Sequence, residues 1–275
     1  MPLGYMLKLV LKNPITVLQS EELLQAPGIL HGFCTRIGGV SGGPYASLNF
    51  SPREGDPPDH VRENWQRLAS AFGIPCEQFF VVNQVHGQRI LVIEDARSCH
   101  SLEERPYDAI VTDRPGVAIG IKTADCAPVL LLDRRCRVIA AVHAGWRGTA
   151  LGIAARAVRM MGQRFGTRPG DLSALIGPSI GPCCYEVDGP VFDALSGGGD
   201  ADRFLRPGAR QGRWMLDLPL ANRLQLEREG VPPGRISAAG LCTCCRRDLF
   251  YSHRRDGTKT GRHLNFILIA GADCA

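Results

Sequence analysis

Short apolar runs constrain this chain more than any other feature. Residues 30–36, 79–85, 90–93, 108–112, 117–121, 128–132, 138–142, 172–176, 236–241 and 265–269 are each four to seven residues long and mostly apolar. Runs of that length between turn-forming residues read as buried strands, and none approaches the ~18 apolar residues of a membrane-spanning helix. Residues 7–11 and 15–18 can add two strands ahead of them. Three helical stretches lie between the runs. In residues 58–72, Val61, Trp65 and Leu68 space one apolar face, and Asp59 can serve as N-cap. Residues 149–165 form a second helix and 220–229 a third, stopped by Gly230 and Pro232. Asp133-Arg134-Arg135 reads as a turn and Gly197-Gly198-Gly199-Asp200 as a loop tip. Elements in this order predict an α/β or α+β fold with a mixed sheet. No G-x-G-x-x-G follows a strand and opens a helix, which disfavours a dinucleotide fold. With no internal repeat and no Pro- or Ser-rich linker, residues 1–275 are expected to form a single domain.

A chain of 275 residues can bury a sizeable core without disulfides. Its 11 cysteines are odd in number and irregularly spaced. The start, MPLGYMLKLVLKNP, lacks a basic region leading into an apolar core with a small-residue cleavage site. The expectation is a cytoplasmic protein with reduced thiols, some of them buried as small hydrophobes. The net charge is +5, and only four of the 32 basic residues are lysines (Lys8, Lys12, Lys122, Lys259). Arginine richness fits a GC-rich coding sequence as well as anion recognition by planar guanidinium groups. The excess charge is small and dispersed, so neither a nucleic-acid nor a membrane partner is expected.

Three segments share one pattern, in which an apolar run ends in a metal-ligating residue type beside a small residue. They are Asn83-Gln84-Val85-His86-Gly87, Thr123-Ala124-Asp125-Cys126-Ala127 and Val142-His143-Ala144-Gly145-Trp146-Arg147-Gly148. Alone, His86 and His143 read more readily as polar strand ends than as ligands, and Cys126 more readily as a buried small hydrophobe. Together, two imidazoles and a thiolate suit a catalytic zinc site with an open fourth position, and also a His₂Cys copper site. Arg36, beside the loop Gly38-Gly39-Val40-Ser41, and Arg147, placed before a helix, are candidates for holding phosphate. Cys242-Thr243-Cys244-Cys245 has C-x-x-C spacing, but a structural zinc site wants a second such pair, and Cys183-Cys184 are adjacent. Cys242, Cys244 and Cys245 are expected to serve packing or to support the site from outside it, and no role is read onto Cys183. The donor-rich segment 250–258 reads equally as a site lining and as a solvated loop.

Taken in order, the segments resemble the YfiH-type family, long labelled multicopper polyphenol oxidase or laccase domain, whose members include purine nucleoside phosphorylases. The resemblance rests on Thr35-Arg36-Ile37-Gly38-Gly39-Val40-Ser41, Ser47-Leu48-Asn49, Gln84-Val85-His86-Gly87, Thr123-Ala124-Asp125-Cys126 and His143-Ala144-Gly145-Trp146-Arg147-Gly148. It continues through Ile176-Gly177-Pro178, Cys184-Tyr185-Glu186-Val187, Cys242-Thr243, residues 250–257 and Gly261-Arg262. Residues 1–25 carry no match and are expected to be an N-terminal extension. The resemblance implies a four-layer α/β/β/α-like domain with a central mixed sheet, of the cytotoxic-necrotizing-factor-like or YfiH-like kind. It implies one Zn²⁺ per chain on His86, Cys126 and His143, with Cu²⁺ as a possible substitute. It implies phosphorolysis of adenosine, inosine and methylthioadenosine by inorganic phosphate, giving the free base and ribose or methylthioribose 1-phosphate, together with deamination of adenosine. Arg36, Asn49 and Arg147 fall at motif positions that face phosphate or substrate, and Asp125 is a candidate acid/base group or a turn residue.

Three rivals follow from the same residues. A copper-dependent, laccase-like polyphenol oxidase would build its trinuclear centre from His-x-His pairs, and the chain's seven histidines include none. Cys126 could instead be a hydrolase nucleophile, and the site could buffer metal without catalysing anything.

Overall fold

The computed structural model describes residues 7–94 and 106–271. Six strands make one sheet, in the order β1 (Leu7–Lys12), β2 (Ile15–Ser20), β3 (Ile29–Cys34), β15 (His263–Ile269), β7 (Ala118–Thr123) and β4 (Phe79–Val81). Six more make a second, in the order β14 (Ile236–Ala238), β10 (Leu172–Ile176), β8 (Ala127–Asp133), β9 (Val138–Ala144), β6 (Ala109–Thr112) and β5 (Ile90–Ile93). Both sheets are mixed. Neighbours run antiparallel except at β4–β7, β5–β6 and β10–β14. The two sheets are the two β layers of the expected four-layer α/β/β/α arrangement, and the strands expected at residues 7–11 and 15–18 form as β1 and β2 of the first sheet. A small third sheet joins β11 (Glu186–Val187), β13 (Trp214–Leu216) and β12 (Leu205–Pro207).

The period-2 alternation of strand side chains sets the layers. β8 sends Leu130 and Leu132 to one side and Val129 and Leu131 to the other, and β9 divides Ile139 and Ala141 from Val138, Ala140 and Val142. The first set meets Ile119, Ile121 and Ile267 of the other sheet in a core between the two. The second set packs under α4 (Ile153–Phe165), α5 (Gly189–Ser196) and α7 (Leu218–Arg228) through Val158, Met161, Val191 and Leu224. On the far face of the first sheet, Leu264, Phe266 and Leu268 lie with Leu68 and Phe72 of α2 (Pro58–Phe72). The result is helix, sheet, sheet, helix. Because β8 and β9 are buried on both faces, they read in the sequence as unbroken apolar runs rather than alternating ones. Four short α-helices complete the described residues: α1 (Glu21–Leu24), α3 (Trp146–Ala150), α6 (Ala201–Phe204) and α8 (His253–Asp256).

Several local expectations are corrected, each for a physical reason. The N-cap of α2 is Pro57, with Pro58 at the first helical position and Asp59 inside the first turn. Proline there loses an N–H that has no helical partner anyway. The helix expected over 149–165 is two, α3 (Trp146–Ala150) and α4, because Gly152 takes a left-handed φ of 72° between them. The strand expected over 79–85 stops at Val81. Beyond it the Gln84 side chain continues the pairing, donating to Lys122 O at 2.6 Å and accepting Lys122 N–H at 2.7 Å.

Candidate active site

The β8–β9 hairpin sets the floor of the site. Its register pairs Ala127 with Ala144 and Pro128 with His143, so Cys126, in the turn entering β8, arrives beside Gly145. Asp125 takes a φ of 89° in that turn. His86 reaches the same place from the loop after β4, with a φ of 60°. The ligating atoms of His86, Cys126 and His143 lie within 4.8 Å of one another. The two imidazoles meet edge to face, with centroids 4.9 Å apart. Gly145 is obligatory here, because an added Cβ would stand 2.9 Å from Cys126 Sγ and 3.0 Å from His86 Cδ2.

Asp108, fully buried at the entry to β6, organises the three. Its Oδ1 accepts from His143 Nδ1 at 2.8 Å and from the His86 N–H at 2.8 Å, and its Oδ2 from the Gly87 N–H at 2.7 Å and the Val85 N–H at 3.3 Å. One carboxylate therefore sets the His143 tautomer, with Nε2 left for the centre, and wraps the His86 loop around itself. Burial opposes its ionisation, but His143 and these N–H donors prevail and hold it below the usual carboxylate range. Burial likewise pushes the Cys126 thiol up, yet the charge and hydrogen bonds of His143 and His86 bring it down to about 6. Burial lowers His143, and the Cys126 thiolate with Asp108 raises it to about 9. Two imidazoles, a thiolate and an orienting carboxylate make a donor set that could hold a transition metal at the edge of the cavity.

That cavity has a volume of about 530 Å³. His86, Cys126 and His143 line it, with Asp125, Trp146, Arg147, Tyr185, Arg254 and Arg262 among its walls. Arg147 is the second residue of α3 rather than a residue preceding a helix, and its guanidinium lies over the Trp146 ring at 4.3 Å. The Asp125 carboxylate is engaged on both oxygens, accepting from Thr243 Oγ1 at 2.6 Å and from the Arg254 N–H at 2.6 Å. It fits the turn residue better than the acid/base group. Arg36 and Asn49 do not line the cavity. Arg36 donates to Ala46 O at 2.6 Å and to Arg247 O at 3.3 Å, and stacks over Tyr251 at 4.7 Å. Asn49 is fully buried, donates to Ser51 O and Asp56 Oδ2, and accepts the Ser51 and Arg262 N–H groups. Both brace the loops that carry other groups; Asn49 supports Arg262, which does reach the cavity.

The residues missed by sequence reasoning are Asp108 as organiser and Arg53, Lys122, Arg254 and Arg262 as cationic walls. The donor-rich segment and Gly261-Arg262 were signals for the last two. Asp108 offered none, since it reads only as the first residue of the run 108–112. Lys122 sits inside a strand, where a basic residue suggests only a solvated edge.

Comparison with known proteins bears on the whole architecture. Residues 30–270 match the family described as multi-copper polyphenol oxidoreductase laccase. A purine nucleoside phosphorylase of Bacteroides thetaiotaomicron is 39% identical over 255 residues, covering 90% of this chain and 94% of that protein. One of Deinococcus radiodurans is 43% identical over 242 residues, covering 87% and 90%. Bacillus licheniformis YfiH superposes with a TM-score of 0.88 at 36% identity, over 95% of this chain and 98% of that one. YlmD of Geobacillus stearothermophilus gives 0.86 at 36% identity, over 93% and 96%. Sequence and fold agree along nearly the full length, and this chain belongs to the multi-copper polyphenol oxidoreductase laccase family, alongside YfiH and YlmD.

Proposed function

We propose that the protein is a zinc-dependent purine nucleoside phosphorylase that cleaves adenosine, inosine and methylthioadenosine with inorganic phosphate, and that it also deaminates adenosine. The observation that carries this reading is the convergence of His86, Cys126 and His143 on the floor of a cavity walled by arginines. The names of relatives 39–43% identical support the same reaction.

His86, Cys126 and His143 would hold the zinc ion. When bound, zinc supplies Lewis acidity, the chemistry that hydrolytic deamination at purine C6 requires. The chain's own groups do the rest. Arg147 lies over the Trp146 ring and lines the cavity, where its guanidinium would offer charge-assisted hydrogen bonds to a phosphate. Arg254 is fixed by the Cys184 and Glu186 carbonyls and by the Tyr185 ring, and adds a second positive charge to the wall. A phosphate oxygen placed at the ribose C1′ forms the new C–O bond as the bond to the purine nitrogen breaks and the base departs. Positioning and charge stabilisation supply most of the acceleration. Tyr185 offers an aromatic face to a purine. Asp108 keeps the proton on His143 Nδ1 throughout.

A laccase-like copper oxidase fits less well, because the chain has no His-x-His pair to build a trinuclear centre. The test is to incubate metal-analysed protein with inosine or adenosine, with and without phosphate, and to identify products by chromatography. Ribose 1-phosphate that depends on added phosphate is expected. Free ribose with no phosphate dependence would make the enzyme a hydrolase.

A further inference from the structure

The chain carries 11 cysteines, far more than the cavity uses, and four of the others meet at one point. Cys183 and Cys184 follow β10, and Cys242 and Cys245 follow β14. The two strands are parallel neighbours, paired from Ala174–Ile236 to Ile176–Ala238, so both chains leave the sheet at the same end. They stay in contact beyond it. Ser179 bridges to Cys242, and the Thr243 N–H donates to Ser179 O at 3.0 Å. Each segment then turns tightly: the Cys184 and Tyr185 N–H groups return to Gly181 O, and the Arg246 N–H returns to Cys242 O.

These turns bring the four sulfurs within 4.8 Å of one another. Cys245 Sγ is 3.5 Å from Cys183 Sγ and 3.4 Å from Cys184 Sγ. A disulfide would need about 2.05 Å. Two thiolates on one tetrahedral zinc, with Zn–S near 2.3 Å, stand about 3.8 Å apart, so the observed spacing is close to that of a ligand set. An iron–sulfur cluster would spread the thiolates over several irons, wider than this.

Two further observations favour an ion over packing. Cys183 and Cys245 are exposed and the other two half-buried, whereas cysteines that pack as hydrophobes lie in cores. Cys242 Sγ also accepts the Gly181 N–H at 3.3 Å. Such a donor stabilises the thiolate, the form that ligates metal. Gly181 lets the backbone come this close, since a Cβ would sit 3.3 Å from Cys242 Cβ and 3.4 Å from Cys183 Sγ. The carbonyls of Cys184 and Cys244 accept from Arg254 and Arg255, which sets positive charge beside the four sulfurs.

We propose that Cys183, Cys184, Cys242 and Cys245 form a second metal site, a closed tetrathiolate site for one zinc ion. It clasps the segment carrying Tyr185 to the segment carrying Thr243, whose hydroxyl holds Asp125 beside Cys126. The proposal adds a second zinc to the one expected from the sequence and gives Cys242 and Cys245 a ligand role beside the packing or supporting role expected of them.

The test is metal analysis of full-length protein purified under reducing conditions without added metal. Wild type should carry two zinc ions per chain. Cys126→Ala should carry one, and Cys183→Ser/Cys245→Ser should also carry one. Because the double variant can fail to fold, the deciding measurement is made on Cys126→Ala stripped of zinc and refilled with cobalt(II). An intense thiolate-to-cobalt charge-transfer band with tetrahedral d–d bands is expected. Cys126→Ala protein that holds no metal while these four thiols react freely with a thiol reagent would overturn the proposal. A disulfide between any two of them, found by non-reducing mass spectrometry of freshly isolated protein, would do the same.

Discussion

Asp108→Asn exchanges one oxygen for an NH₂ group and removes the charge around which the candidate site is built. The carboxylate accepts four hydrogen bonds, two on each oxygen, from His143, His86, Gly87 and Val85. An amide of the same shape keeps only one acceptor oxygen. Whichever way it lies, two donors face an NH₂ group and lose their partner. At about 1.5–3 kcal/mol for each bond to a charged group, the direct loss is about 3–6 kcal/mol, much of a typical folding margin of ~5–15 kcal/mol. Part of that loss falls on the metal. With the His143 tautomer and the His86 loop no longer fixed together, zinc affinity should drop by about 10–100-fold, the usual effect of removing an orienting partner. The assay is chelator competition for zinc on folded variant and wild type, with thermal unfolding measured alongside at saturating zinc. If Asp108→Asn binds zinc as tightly as wild type and melts at the same temperature, the role given to Asp108 is wrong.

Three further outcomes are expected. Gly145→Ala should abolish zinc binding at this centre, because its Cβ would press on Cys126 and His86 by more than the ~0.2 Å a zinc site tolerates; full occupancy by elemental analysis would contradict this. Arg147→Ala should raise the KM for phosphate about tenfold, the equivalent of one lost charge-assisted bond, while changing the KM for inosine little; equal increases in steady-state kinetics would remove it from the phosphate site. Stability should fall on acidification, since burial lowers His31 to about 4, and lowers His263 to about 3 against an opposing bond from Thr123 O. Both bind protons only in the unfolded chain as the pH drops below about 6.5, so each should cost about 2 kcal/mol by pH 5, with no change above neutrality. Denaturant unfolding of Cys126→Ala, which keeps loss of metal from this centre out of the measurement, checks this; equal stability at pH 7 and pH 5 would refute it.

Much of the fold was legible because strand and helix periodicity is local. Residues 58–72, 128–132, 138–142 and 172–176 all form the elements their patterns suggested, since a run buried on both faces leaves a continuous apolar signature. His86, Cys126 and His143 could also be singled out, because each follows or ends such a run beside a small residue. What the chain alone could not show were relations set by register. Nothing near Asp108 in the sequence says that three N–H groups from residues 85–87 will close on it, which requires β5 to run beside β6, or that His143 will join them, which requires β9 on the other side of β6. Arg36 and Asn49 read as ligand residues because of their motif, while packing turned their polar groups onto backbone and buried partners. Cys183-Cys184 did not qualify by spacing as a partner pair for Cys242-Thr243-Cys244-Cys245, nearly 60 residues away; the parallel pairing of β10 with β14 carries both past the same sheet end and makes them neighbours. Local chemistry is written in the order of residues, whereas which groups share a site depends on long-range strand pairing, and that is decided only when the two sheets close on their common core.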